Sequence, residues 1–308
     1  MINESLSPEI VELRRQNLQK LQVPCSSSRP FFGTSTWQET EKLSIISNAV
    51  SEEYEERSGL CSVLYTKDFS KLKEAPYVVV ISTHVDFVPQ ITQPFCYYSP
   101  ETGMFKGTFD NSATNAALLS LMMEDELSDI PVVFAFTGDE ETGRCTGAKE
   151  VISLLEDELG IEKEHMYPIA LDVTYEGYRH ELYGNPVTFT IENISYYDEH
   201  FVKIANDMMK DGRPYICAPK DAYPPGVKPI CKGETSLYDE GVAYQEKTGH
   251  GLSFCMPVGG GSMHSNKGVN LEVGVYLGYI DSLKEFVKKY DLYLSNQKEK
   301  ERASALSR

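Results

Sequence analysis

No stretch of the sequence approaches ~18 uninterrupted apolar residues, so it offers no membrane-spanning helix. Residues 1–19 lack a basic segment followed by an apolar run, so no secretory leader is read there. The seven cysteines are an odd number with no CxxC pair, which argues against a disulfide framework and for reduced thiols in a cytoplasm. Basic charge is scarce. Lys plus Arg total 29 against 46 Asp plus Glu, a net charge of −17. Such a chain is a poor general binder of nucleic acid or of an anionic membrane, and neither partner is expected. No internal repeat is visible. The glycine run Gly259-Gly260-Gly261 is not followed by GK[ST], so it is no phosphate loop but a flexible approach to His264.

What is present is ordinary globular usage: 308 residues, 41% hydrophobic and 24% charged. Ser7-Pro8-Glu9 is a helix start, with Ser as N-cap and Pro in the first turn, and predicts a helix over 8–22. A second helix is expected from Thr36 to about residue 56, with loop between. Four short apolar runs, 77–81, 131–136, 167–171 and 252–256, read as strands buried on both faces. Helical stretches fall at about 111–125, 146–159, 197–211 and 269–290. Residues 212–235, rich in Pro and Gly, read as a long loop. The alternation predicts an α/β fold, a mostly parallel twisted sheet with helices on both faces. The expected organisation is a single domain over 1–295, with helices 8–56 packed on it, and a polar, flexible tail over 296–308.

Polar groups follow each apolar run. His84-Val85-Asp86 follows the first and Asp139-Glu140-Glu141-Thr142-Gly143 the second. Asp172-Val173-Thr174 follows the third, and Met263-His264-Ser265 lies beyond the fourth. Asp110-Asn111 precedes the helix at 111–125. In a parallel sheet, ligands bind at the carboxyl ends of the strands, where all of these converge. Taken singly, each has a plain explanation. His84 and His264 read as ordinary structural histidines, Asp110 as an N-cap, Glu140-Glu141 as a solvated pair, and Asp172 as a loop residue. Jointly, two His and three carboxylates exceed what one structural zinc needs, and suit two divalent metals sharing a bridging carboxylate. Asp86 lies two residues from His84, on the same side of an extended chain, where it can orient the imidazole.

These motifs resemble, in order, the metal-site motifs of the di-zinc exopeptidase superfamily of co-catalytic zinc aminopeptidases, zinc carboxypeptidases and deacylases, and span residues 84–264. The resemblance implies the three-layer zinc-exopeptidase (phosphorylase/hydrolase-like) fold and two divalent ions, Zn2+ foremost, with Co2+ or Mn2+ also suited. It implies that His84 and Asp172 bind one metal, that Glu141 and His264 bind the other, and that Asp110 bridges. Glu140 is then the general base and Asp86 the holder of His84.

Asp86 and Asp110 are 24 positions apart, leaving no room for the extra domain of the cage-forming aminopeptidases. Asp172 and His264 are 92 apart, tight for the inserted domain of the deacylase branch. A peptide or small amide substrate and an aminopeptidase activity are expected. The alternative is a carboxypeptidase or N-acyl-amino-acid deacylase, which needs a cation for the substrate carboxylate. Its candidates are Arg144, Arg179, Arg213 and Lys267, each also readable as a surface charge. A third reading is a non-catalytic binding protein that kept the fold. Tyr223, Tyr238 and Tyr244 are candidate oxyanion donors. Cys145, Cys255, Ser236 and Ser262 lack a nucleophile's surroundings. Oligomeric state is not fixed by the sequence, and a homo-oligomer is compatible with it.

Overall fold

A computed structural model describes residues 6–23, 41–88, 90–182, 184–192, 204, 207–208 and 238–306. In chain order the first elements are α1 (Pro8–Lys20), α2 (Glu41–Val50), β1 (Glu55–Ser58), β2 (Ser62–Thr66) and α3 (Phe69–Glu74). Next come β3 (Val78–His84), β4 (Cys96–Ser99), β5 (Met104–Gly107) and α4 (Ser112–Glu124). They are followed by β6 (Val132–Thr137), α5 (Thr146–Asp157), β7 (Met166–Thr174), β8 (Glu181–Leu182), β9 (Asn185–Pro186) and β10 (Thr190–Glu192). The last are α6 (Glu240–Thr248), β11 (Leu252–Pro257), β12 (Gly259–Ser262), β13 (Gly268–Glu272) and α7 (Val273–Leu306).

The central sheet has the order β1-β2-β6-β3-β7-β11-β10. Its four inner strands are mutually parallel, while β2, β1 and β10 join antiparallel at the edges. The inner strands are the four apolar runs, and their side chains alternate between two helical layers. Val79 and Ile81 face the core under α1, α2, α4 and α7, whereas Val78 and Val80 face the core under α3, α5 and α6. Continuous Val/Ile/Phe runs belong in strands covered on both faces. The expected α/β class and mostly parallel sheet are therefore what the chain adopts.

A second sheet, β12-β13-β5-β4, is antiparallel and stands beside the first. Nothing in the sequence signalled it. Its strands are four or five residues long, and one of them is Gly-Gly-Gly-Ser. The glycines are not the flexible approach expected. Tyr178 packs so closely on Gly259 that a Cβ there would meet its ring at 2.3 Å, and Gly260 sits at φ +68°.

Several boundaries differ from expectation. The helix expected to reach residue 56 stops at Val50 in a turn where Tyr54 N–H donates to Val50 O, and β1 follows. The helix expected over 269–290 begins at Val273, because Val269 and Leu271 alternate inward along β13. It then continues to Leu306, through the segment expected as a flexible tail. Lys, Glu, Gln, Arg and Ala are strong helix formers and need no apolar stripe to extend an anchored helix. The expected helix at 197–211 lies outside the described residues except at 204, 207 and 208, and the loop 212–235 lies outside them entirely. No described helix is long and apolar enough to cross a membrane.

Candidate metal centre

Parallel register sets the first half of the site. His84, the last residue of β3, pairs with Thr137, the last residue of β6, and Thr83 pairs with Leu171, one step before Asp172. His84, Asp172 and the Glu140-Glu141 turn therefore share one edge of the sheet. The backbone there is pinned by α4, whose Asn115 amide donates to His84 O at 2.7 Å and to Thr83 Oγ1 at 2.8 Å. Asp139 shapes the acidic turn. It sits at φ +67° and accepts hydrogen bonds from the Thr142 and Thr146 hydroxyls.

The small sheet sets the second half. Asp110 follows β5, and His264 follows β12. Because β5 and β12 both pair with β13, the two residues are brought together. The Asp110–Asn111 peptide is cis, and Asn111 Nδ2 donates to Leu171 O at 2.7 Å.

Asp110 lies between the halves. Its Oδ1 is 3.4 Å from His84 Nε2, and its Oδ2 is 2.9 Å from His264 Nε2. His84 Nε2 is also 3.7 Å from Asp172 Oδ1 and 3.8 Å from Glu140 Oε2. His264 Nε2 lies 3.9 Å from Glu141 Oε2. Asp86 Oδ1 stands 3.4 Å from His84 Nδ1, while its Oδ2 accepts from Glu141 N–H at 3.2 Å. The structure thus brings all seven residues singled out in the sequence into one cluster. Candidate ligand atoms of His84, Asp110 and Glu141 lie within 4.8 Å of one another.

The electrostatics describe a surplus of buried negative charge. Burial pushes the Glu140 carboxyl up to about 9 and Glu141 up to about 10, with the neighbouring carboxylates adding to the rise. Asp172 is raised by burial as well. Burial also disfavours charge on Asp110, but the two histidines overcome it and hold that carboxyl well below the usual range. Burial opposes a charged His84, yet the surrounding carboxylates hold its pKa well above the ordinary value. His264 is raised chiefly by its hydrogen bond to Asp110. Neither ring nitrogen of the buried His84 makes a hydrogen bond, and Glu141 Oε1 is likewise buried without one. Orphaned imidazole nitrogens facing carboxylates that resist ionisation are what divalent cations would satisfy, so the residues present fit a two-metal centre.

Other expectations resolve differently. The Arg144 side chain is 69% exposed and turns to Asp139, with Nε 3.6 Å from Oδ2. Arg179 pairs with Glu272 at 3.4 Å, and the Lys267 side chain is in solvent. Among the described residues, no Lys or Arg forms an ion pair with Asp110, Glu140, Glu141 or Asp172. Tyr244 is not a cleft donor. It lies on the inward face of α6, fully buried, where the charge of Glu240 is felt at its hydroxyl. The Tyr238 hydroxyl donates to Glu246 at 2.7 Å, away from the site. Tyr223, Arg213 and Ser236 lie outside the described residues. Cys145 and Cys255 are buried, and burial pushes both thiols up, the reverse of an activated nucleophile.

Residues 80–266 match peptidase family M20/M25/M40, more than half of the chain. The chain belongs to this family. It is accordingly a metallopeptidase-type hydrolase built around two metal ions. Among solved structures it is similar to a tripeptidase from Staphylococcus aureus, at 13% identity and TM-score 0.57, covering 90% of this chain and 98% of that one. It is also similar to aminopeptidase PepT from Bacillus cereus, at 11% identity and TM-score 0.54, covering 91% and 98%. An aminopeptidase from the archaeon Desulfurococcus kamchatkensis matches at 10% identity and TM-score 0.55, covering 90% and 94%. At such identities the likeness is one of fold. No curated protein sequence matches the chain.

The residues that shape the surroundings of the cluster and were not singled out in the sequence are Asp139, Asn115 and Glu240. Asp139 carried a weak signal, as an acid wedged between Gly138 and the Glu pair. Glu240 is buried at the start of α6 with Ser82 Oγ 3.4 Å from its carboxylate, and burial raises its pKa to about 7.

Proposed function

We propose that the chain is a two-metal aminopeptidase that removes N-terminal residues from peptides. The observation carrying this reading is the division of Asp110, whose two oxygens face two different histidines. His84 and Asp172 would hold one divalent ion, His264 and Glu141 the other, and Asp110 would span both. Zinc suits this His/carboxylate set, and cobalt or manganese are also compatible. When bound, the ions supply Lewis acidity toward the scissile carbonyl and the attacking water.

Glu140 takes the proton from that water at its carboxylate and delivers it to the leaving amine nitrogen. Its carboxyl stands beside His84 but belongs to neither ligand set. Asp86 keeps the His84 ring in place from Nδ1 and ties it to the Glu141 backbone. The surplus of carboxylates gathered at the site supports recognition of an α-ammonium rather than an α-carboxylate. Residues 1–295 would act as one catalytic unit, in the cytoplasm. The dodecameric assembly of a TET structure with TM-score 0.55 is compatible with a homo-oligomer here.

The test is mass spectrometry of a mixed peptide pool with zinc-loaded and chelated protein. Ladders shortened from the N-terminus only in the loaded sample are expected. Trimming from the C-terminus, or release of acyl groups from N-acylated amino acids, would transfer the chain to the carboxypeptidase or deacylase reading.

A further inference from the structure

The two histidines are held very differently. The His84 side chain is 2% exposed at the end of a core strand, whereas that of His264 is 58% exposed on the turn between β12 and β13. Something other than burial must place the second ring. Two residues beyond it, Asn266 reaches across to the loop that follows His84 and Asp86. Its Oδ1 accepts from Thr92 N–H at 3.0 Å and Gln93 N–H at 3.2 Å. Its Nδ2 donates to Gln90 O at 3.1 Å and Thr92 Oγ1 at 3.2 Å. Two donations and two acceptances fill a carboxamide's bonding capacity, and no other side chain of this size offers both.

The receiving loop is itself anchored. Phe87, Val88 and Ile91 form their own buried apolar cluster, and the Lys42 ammonium lies 4.0 Å from the centre of the Phe87 ring. On the other side, Tyr175, three residues beyond Asp172, accepts the Met263 N–H at its hydroxyl at 2.8 Å. The backbone of the His264 turn is therefore clasped to both segments that carry the first-metal residues.

Resting on the two-metal reading above, we infer that Asn266, assisted by Tyr175, is a positioning residue for the second metal. It joins the loop-borne half of the site to the strand-borne half and so sets the affinity at His264 and Glu141, while the site at His84 and Asp172 stands without it. An outer partner that orients a ligand typically changes metal affinity by about 10–100-fold when removed.

The experiment is equilibrium dialysis against buffered zinc, with metal per chain measured for wild type, Asn266→Ala, Asn266→Asp and Tyr175→Phe. Wild type should take up two zinc ions per chain. In Asn266→Ala the weaker binding step should move to about 10–100-fold higher free zinc with the tighter step unchanged. Asn266→Asp keeps both acceptances but loses both donations, and should fall between. Tyr175→Phe removes one hydroxyl from an exposed ring, leaves folding intact, and should move the same step in the same direction. Two wild-type binding steps in both Asn266→Ala and Tyr175→Phe would overturn the inference, as would equal weakening of both steps. A wild-type chain binding only one zinc would sink the two-metal reading before any variant is compared.

Discussion

The two halves of the metal centre contrast in how they are built. The His84 half stands on the parallel sheet. Its strand is buried throughout, its neighbours are fixed by register, and α4 hydrogen-bonds to its backbone. The His264 half stands on short antiparallel strands rich in glycine and is fixed by side-chain clasps. Packing determines the first half and polar contacts the second. A buried strand end opens only with the fold, whereas a surface turn opens locally at lower free energy. The first metal should therefore bind a preformed site, and the second a site that depends on a few hydrogen bonds.

The steepest loss should come from the carboxyl that stands in the sheet-borne half but belongs to neither ligand set. Glu140→Gln keeps the shape but cannot accept a proton, so turnover should fall by about 10²–10⁴-fold. Zinc content and melting temperature should stay near wild type. Near-normal turnover would remove Glu140 as base.

Substituting one histidine at a time tests the contrast directly. His84→Ala opens space in a packed strand end and should lower the stability of the metal-free chain by about 1–3 kcal/mol. His264→Ala opens no core cavity but takes one partner from the Asp110 carboxylate, so it should cost less, about 1 kcal/mol or below, while losing one zinc per chain. Equal melting temperatures for the two chelated variants would contradict the contrast.

A smaller effect concerns pH. In the metal-free chain, Glu140 and Glu141 have folded pKa values raised to about 9 and 10. Between their unfolded values near 4.5 and these, the folded state binds more protons than the unfolded state, so stability falls as pH rises. The raised His84 and His264 act in the same direction, since the stability they contribute is present below about 6.5 and lost on passing their folded values. The chelated protein should melt progressively lower from pH 6 to pH 9. Zinc should raise the melting temperature more at pH 9, because metal competes with protons for these ligands. A flat profile for the chelated chain would argue against buried, protonated carboxyls.

The same contrast explains what was legible in the sequence. Runs such as Val78–Ile81 and Val132–Phe136 announce buried strands by composition alone, and the polar residues after them mark the sheet edge. The small sheet was invisible because Gly259-Gly260-Gly261 has no strand propensity and is strand only by pairing with β13. Asn266 in Ser265-Asn266-Lys267-Gly268 reads as turn chemistry, and nothing local says that its amide spans to residues 90–93. Tyr244 was misplaced for a related reason. Sequence order puts it near the motifs, but the face of α6 decides whether it points into the cleft or the core. Side-chain roles set by pairs far apart in sequence emerge only when the fold brings them together.

Everything above turns on Asp110 dividing its two oxygens between two metals. Anomalous diffraction at the zinc edge from crystals of the loaded protein tests it most directly. Two peaks about 3.5–4 Å apart are expected, with the Asp110 carboxylate between them, one beside His84 and one beside His264. A single peak, or two peaks neither of which touches Asp110, would contradict it.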